Sequence, residues 1–230
     1  MTEVEWLNCI DPDPMVRFLW ETGSKRKLRL FAAACCRRVS HLLTDARDLA
    51  NLTAIEQFAD GLILMDRVEV IEAEALAAPM PEGSWDNPAF NAASIAKYLL
   101  PNSCRHDDVA GLILDFFMII FMAVAGTQAR INSEAWQAAW KAEQRDECLL
   151  IRDIFGNPFR PVAFLPAWRT PTAVAIAQTI YDDRRFEDLD ILADALEEAG
   201  CNDAEILAHC RQPAEHVRGC WLLDLLLGKE

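Results

Sequence analysis

The chain has few glycines and few basic residues, and these two shortages restrict its fold class and its binding partners. Only 9 of its 230 residues are glycine, while alanine and leucine are abundant, and this composition favours helices over sheets. The sequence contains 22 Lys and Arg residues and 36 Asp and Glu residues, which gives a formal net charge of −14. General nucleic-acid binding needs a basic face, so this charge argues against it.

The sequence also lacks the short motifs of common catalytic sites. It contains no G-x-S-x-G, H-E-x-x-H, Walker loop or Rossmann glycine pattern, so no catalytic activity is evident. His41 and the run His106-Asp107-Asp108 could be imagined as acid–base groups or as ligands of a hard metal ion. Acidic residues at the start of a helix are, however, favoured by the helix dipole without any function.

Helical signals run through most of the chain and predict an all-α, multi-helix bundle. Thr2 and Glu5 have the spacing of a capping box, and Gly200 suits a left-handed helix cap. The basic segment 25–43 reads as one helix. Three helices are predicted near the C-terminus, over 188–199, 203–211 and 214–227.

Repeated prolines divide the chain. Between residues 155 and 171 the prolines prevent a regular helix. This interruption predicts an N-terminal bundle over 1–152 and a smaller C-terminal helical module over 153–230. The segment could be a linker. Its large apolar residues, including Phe164 and Trp168, favour instead a segment that packs on the helices, so we expect the two parts to share a core.

Residues 109–125 form the longest apolar run, VAGLILDFFMIIFMAVA, with Asp115 as its only charge. A spanning helix needs about 20 apolar residues, and a carboxylate at mid-depth is costly there. We therefore expect a central helix of the bundle, in which Asp115 has a buried basic partner, and treat a membrane span as the minor alternative.

The cysteines point to a reducing compartment. The N-terminus shows no secretory signal, so we expect a cytoplasmic protein whose eight cysteines are thiols or metal ligands. The C-terminal thirty residues hold the strongest candidate ligands: Cys201, Cys210, His216 and Cys220, with His209 beside them. Such residues suit tetrahedral zinc, and His216 and Cys220 lie four residues apart, on one face of the predicted helix. No C-x₂-C pair is present, and the alternative is that these residues pack between helices.

A second candidate site is a basic surface on the predicted helix 25–43. Its proposed binding residues are Arg26, Arg29, Arg37 and Arg38, which suit phosphate or an acidic partner protein. The alternative is that this face pairs with the chain's own Glu69, Glu72 and Glu74.

The C-terminal run RDIFGNPFRPV, followed by ILADALEEAGC and HVRGCWLLDLLLGKE, resembles a module of an uncharacterised planctomycete-type bacterial protein family. The N-terminal EWLNCIDPDPMVRFL and SKRKLRLFAAACCRRVSHLLTD resemble the head of the same family, and ILADALEEAG is distantly similar to a repeat-companion domain. The resemblance implies a bacterial cytosolic protein with a linked head and tail, and it brings no activity, cofactor or catalytic residue.

These observations favour a protein–protein interaction module, an adaptor or regulatory subunit whose partner is another protein or a second copy of the chain. The alternative is a metal-binding protein, with zinc in the C-terminal Cys/His cluster and an enzymatic role open.

Overall fold

The computed structural model describes residues 1–83, 87–99 and 133–229. The apolar run 109–125, with Asp115, and the His106-Asp107-Asp108 run lie outside the described residues. In the part that the structure describes, the chain is all-α, with no strand, which confirms the predicted fold class. None of the helices described there combines the length and apolarity needed to cross a bilayer.

Eleven α-helices lie within the described ranges, along with short 3₁₀ segments and a π-helix at Ile95–Leu99. The α-helices are α1 (Glu3–Asn8), α2 (Pro12–Thr22), α3 (Lys25–Arg38), α4 (Ala46–Ala59), α5 (Met65–Leu76), α6 (Pro88–Ser94), α7 (Glu134–Phe155), α8 (Pro171–Asp183), α9 (Leu189–Glu198), α10 (Ala204–Arg211) and α11 (Trp221–Leu227).

Local chemistry explains where several helices begin. The predicted capping box forms: the Thr2 backbone N–H donates to Glu5 Oε2 at 2.7 Å, and the Glu5 N–H donates to Thr2 Oγ1 at 3.3 Å. The Asp203 carboxylate accepts from two backbone N–H groups at the start of α10. Gly200 has a φ of +84°, as predicted for a left-handed cap.

The chain forms two compact units. Unit 1 contains Met1 and residues 8–148, and unit 2 contains residues 2–7 and 149–230. The boundary predicted from the sequence lies after residue 152, and residues 2–7 are not predicted to belong to the C-terminal part. The expectation of a shared core stays a prediction.

Unit 1 is organised around α4, which packs against both α3 and α5. Its buried side chains include Leu28, Phe31, Leu52 and Ile55, each at most 1% exposed. Helix α3 ends at Arg38, and a 3₁₀ turn over Ser40–Leu42 replaces the end of the helix predicted over 25–43.

Unit 2 has its own core of leucines, isoleucines, alanines and three cysteines, to which α8, α9, α10 and α11 all contribute. Helix α8 packs against α9 and α11, and α9 packs against α10. The segment between α7 and α8 is irregular, as predicted, apart from one 3₁₀ turn. Phe164 packs on this core and Trp168 is buried in it, so the segment is not a free linker.

Helix α1 is held to the end of α7 and the loop that follows. The Trp6 indole N–H donates to the Gly156 carbonyl at 3.1 Å. Arg152 donates to the Trp6 carbonyl at 2.7 Å, and the Asn157 side-chain amide donates to Glu3 Oε1 at 2.7 Å. These bonds explain why residues 2–7 belong to unit 2 although the 141 residues from 8 to 148 separate them from the rest of it.

Candidate metal centre

Four potential metal ligands converge inside unit 2: Asp153, His209, His216 and Cys220. One ligand atom from each lies within 4.8 Å of the others. Asp153 is near the end of α7, His209 is in the last turn of α10, and His216 and Cys220 lie in the connection before α11. None of the four is more than 8% exposed, so the cluster is almost closed to bulk water.

Asp153 is the hub of the cluster. Its Oδ1 accepts from His216 Nδ1 at 2.6 Å and lies 3.4 Å from His209 Nε2. Its Oδ2 accepts from the Val217 backbone N–H at 3.0 Å. Burial raises the pKa of Asp153, but the hydrogen bonds from the two histidines outweigh burial and leave that pKa below its usual value. The carboxyl group is therefore an ionised acceptor, well suited to a cation.

His209 has its two ring nitrogens in different surroundings. Its Nε2 lies 3.1 Å from Cys220 Sγ. Its Nδ1 lies 3.2 Å from the Trp221 indole nitrogen and 3.1 Å from the Gln212 amide nitrogen. An indole N–H can only donate, so these partners assign Nδ1 as an acceptor and place the proton of the neutral ring on Nε2.

Cys220 is completely buried at the start of α11. Burial raises the pKa of its thiol well above the usual value, and the negative charge of Asp153 raises it further; the backbone N–H groups of Leu223 and Leu222 oppose the rise. His209 presents an N–H rather than a lone pair to this sulfur. A thiolate nucleophile activated by His209 is therefore not what this geometry provides.

His216 supplies the one unsatisfied atom of the cluster. Its Nδ1 donates to Asp153, which leaves Nε2 as an acceptor, and this buried Nε2 has no hydrogen-bond partner. Buried polar atoms without partners are rare. Because Nδ1 is the nitrogen that faces Asp153, Nε2 points away from that carboxylate, and an ion shared with Asp153 would bind His216 through Nδ1 after loss of its proton.

The donor set suits a borderline-soft cation. One thiol, two imidazoles and one carboxylate are all ligand types that Zn²⁺ accepts, and four protein ligands are the number of a closed, structural site. The thiol must lose its proton when it binds a metal, which the cation's own charge favours. The residues present therefore fit zinc.

The structure brings together two of the four predicted ligands, His216 and Cys220. Cys201 and Cys210 are not in the group; both are buried in the apolar core of unit 2. The predicted helix over 214–227 is wrong in its first half. Helix α11 begins at Trp221, because Gly219, with a φ of +94°, turns the chain just before it. His216 and Cys220 are thus brought together by a turn and not by one helix face.

Sequence reasoning missed Asp153 and kept His209 only as a neighbour of the site. His209 stood within the Cys/His-rich segment, so it could have been chosen. Asp153 lies 63 residues before its partner His216, in a helix with no other ligand residue in the cluster. No local spacing could have connected the two.

A cavity of about 300 Å³ borders the cluster on the side of Asp153 and His209. Trp6 and Trp221 also line it, and a Cβ on Gly156 would lie 3.2 Å from the Trp221 ring. Two of the polar side chains that line it are engaged within the protein: Arg152 binds the Trp6 carbonyl and Gln212 binds His209.

The predicted basic surface lies in unit 1, and its arginines contact other residues of that unit. Arg26 binds Asp60 at 2.7 Å and Arg37 binds Glu56 at 2.7 Å. Arg38 binds Glu143 at 3.1 Å and Asp146 at 2.8 Å, and the Arg29 guanidinium lies 5.4 Å from the centre of the Phe58 ring. Arg26, Arg37 and Arg38 are therefore held by carboxylates of unit 1. Pairing of this face with Glu69, Glu72 and Glu74 stays a prediction.

Comparison of the chain with protein-family models, curated proteins and solved structures gives no match.

Proposed function

We propose that the protein binds one transition-metal ion, most simply Zn²⁺, through Asp153, His209, His216 and Cys220 of unit 2. The observation that carries this proposal is the convergence of four buried ligand atoms, of three chemical types, within 4.8 Å.

The role of the ion is structural. Its ligands come from the end of α7, the end of α10 and the turn before α11, so one ion would hold the end of α7 to two later segments that are neighbours in sequence. Four protein ligands leave no open position for a substrate in a tetrahedral site. Binding free energy then becomes folding free energy, and unit 2 is expected to lose stability when the metal is removed.

The first experiment measures the metal content of the full chain, purified under reducing conditions without a metal-affinity column. About one zinc per chain is expected by mass spectrometry of the metal. Replacement of zinc by Co²⁺ should give the absorption of a tetrahedral site with a thiolate ligand. Absence of metal, together with failure to take up either ion, would refute the proposal.

Three cysteine variants separate this ligand set from the one predicted from the sequence. Cys220→Ser should lose the metal and the thiolate-to-cobalt absorption. Cys201→Ser and Cys210→Ser should keep both, because those thiols lie in the core and outside the cluster. Loss of metal in Cys201→Ser and Cys210→Ser as well as in Cys220→Ser would instead favour the ligand set predicted from the sequence, and retention in Cys220→Ser would contradict both sets.

The adaptor or regulatory role stays a prediction, as does the resemblance to the planctomycete-type family. A structural metal centre is compatible with an adaptor, since it would stabilise the module without taking part in its contacts. The intramolecular ion pairs of Arg26, Arg37 and Arg38 mean that a partner would have to compete with Asp60, Glu56, Glu143 and Asp146 for the same guanidinium groups.

A further inference from the structure

We infer that Trp221 holds His209 in the tautomer whose proton sits on Nε2, and that it thereby weakens metal binding and makes the centre readily reversible. The inference rests on the proposed function, because it concerns the affinity of that same site. It assigns Trp221 a positioning role through its indole N–H, which no spacing in the sequence indicates.

The Trp221 indole N–H is the donor to His209 Nδ1. The Trp221 indole nitrogen lies 3.2 Å from His209 Nδ1, and the two rings are 4.8 Å apart between centroids. An indole nitrogen has a proton and no lone pair to accept with, so its contact with Nδ1 requires an unprotonated Nδ1. Gln212, 3.1 Å from the same nitrogen, imposes no such requirement, because its amide can rotate and offer oxygen instead.

A metal ion requires the proton of the His209 ring to be on the other nitrogen. Of the two ring nitrogens, Nε2 faces Asp153 and Cys220, so it is the atom that would bind the ion. A histidine bound through Nε2 normally carries its proton on Nδ1 and donates it to an acceptor. In this site that proton would meet the indole N–H. Metal binding must therefore either displace Trp221 or leave the ring without any proton, and both reduce affinity.

In the metal-free protein, the same tautomer lets His209 donate a hydrogen bond within the cluster. With the proton on Nε2, His209 donates into the cluster, toward Cys220 Sγ at 3.1 Å and Asp153 Oδ1 at 3.4 Å. Trp221 thus favours a hydrogen-bonded state of the centre that competes with the metal-bound state. A ligand that must shift such an equilibrium binds with a correspondingly lower apparent affinity.

The test uses Trp221→Phe, which keeps an aromatic ring against Gly156 and removes the indole N–H donor together with part of the ring volume. Trp168→Phe is the matched control: it is the same substitution in the same unit, at a buried core position that packs on Phe164. The zinc affinity of the full chain is measured by competition with a chromophoric chelator. Trp221→Phe should bind zinc about tenfold more tightly or better, the scale on which groups around metal ligands act, and Trp168→Phe should match the wild type.

A second measurement needs no variant. Long-range ¹H–¹⁵N correlation spectra of metal-free wild type report which ring nitrogen of His209 carries the proton, and Nε2–H is expected. A proton on Nδ1 overturns the inference while leaving the metal proposal intact. Nε2–H with unchanged or weaker zinc binding in Trp221→Phe also overturns it.

Failure of the proposed function gives a different pattern. If the wild type binds no zinc, the metal proposal fails for the native chain, and the inference then requires that Trp221→Phe gain zinc binding. If neither protein binds zinc, both ideas are refuted.

Discussion

Glu147, in the unit 1 part of α7, is a carboxyl group without contact with water and without any hydrogen-bond partner for either oxygen. Burial raises its pKa from 4.5 to about 9, the negative charge of Glu143 adds to the rise, and Arg38 opposes it. Glu147 is therefore a protonated, neutral acid in the folded protein at neutral pH. We expect Glu147→Gln, which is neutral at every pH, to stabilise the protein.

The size and sign of this effect follow from proton linkage. Between pH 4.5 and pH 9 the folded protein keeps a proton on Glu147 that the unfolded chain releases, so stability falls as pH rises through that window. Each pH unit is worth about 1.36 kcal/mol, so the loss reaches about 3 kcal/mol by pH 7. Glu147→Gln should recover most of it at pH 7 and almost none at pH 4.5.

The assay is chemical denaturation of wild type and variant near pH 5, 7 and 8.5, followed by far-ultraviolet circular dichroism. The difference in unfolding free energy should grow from less than about 1 kcal/mol near pH 5 to about 3 kcal/mol near pH 7. Glu134→Gln makes the same change at an exposed position in the first turn of the same helix, so it should give only the small loss of a helix-dipole interaction, with almost no increase between pH 5 and pH 8.5. A difference for Glu147→Gln that does not change with pH would refute the reasoning, because it would show that Glu147 does not bind a proton on folding.

Two further predictions concern unit 1. The Lys97 ammonium is completely buried and binds Asp48 at 2.9 Å and the Ala75 carbonyl at 2.5 Å; Lys97→Met should lower the unfolding free energy by about 3–5 kcal/mol, since it leaves a buried carboxylate unpaired. Calorimetry measures this loss. Combining Lys97→Met with Asp48→Asn should recover part of it. An unchanged Tm in Lys97→Met alone would contradict the role of the pair. Arg37→Glu would place a second carboxylate against Glu56, so we expect a loss of roughly 2–3 kcal/mol. A disrupted assembly in light scattering with an unchanged Tm would instead support the adaptor surface predicted from the sequence.

The fold class followed from local chemistry that acts over one or two turns. The Thr2–Glu5 capping box, the Asp203 cap and the left-handed Gly200 are all decided by neighbouring residues, and the structure contains each of them. One detail differs: the helix predicted from residue 214 begins only at Trp221.

The late start of α11 has a physical cause that a hydrophobic pattern does not register. Pro213 cannot donate a backbone hydrogen bond, and Gly219 adopts a φ of +94°. Asp153 instead accepts the Val217 N–H that a helix would have used. A tertiary hydrogen bond therefore replaces a local one, and only the folded arrangement of α7 supplies its acceptor.

The choice between Cys210 and His209 as a ligand could have been made from the sequence. Neighbouring residues on a helix point about 100° apart, so adjacent side chains face different surroundings. Ile206 and Cys210 lie four residues apart and share the face of α10 that enters the apolar core, where burial raises the pKa of the Cys210 thiol to about 12. His209 points from the neighbouring face toward Asp153 and Cys220. The apolar stripe of α10 thus already marked Cys210 as a core residue and His209 as the available ligand, whereas Asp153 could be found only once α7 had been placed beside it.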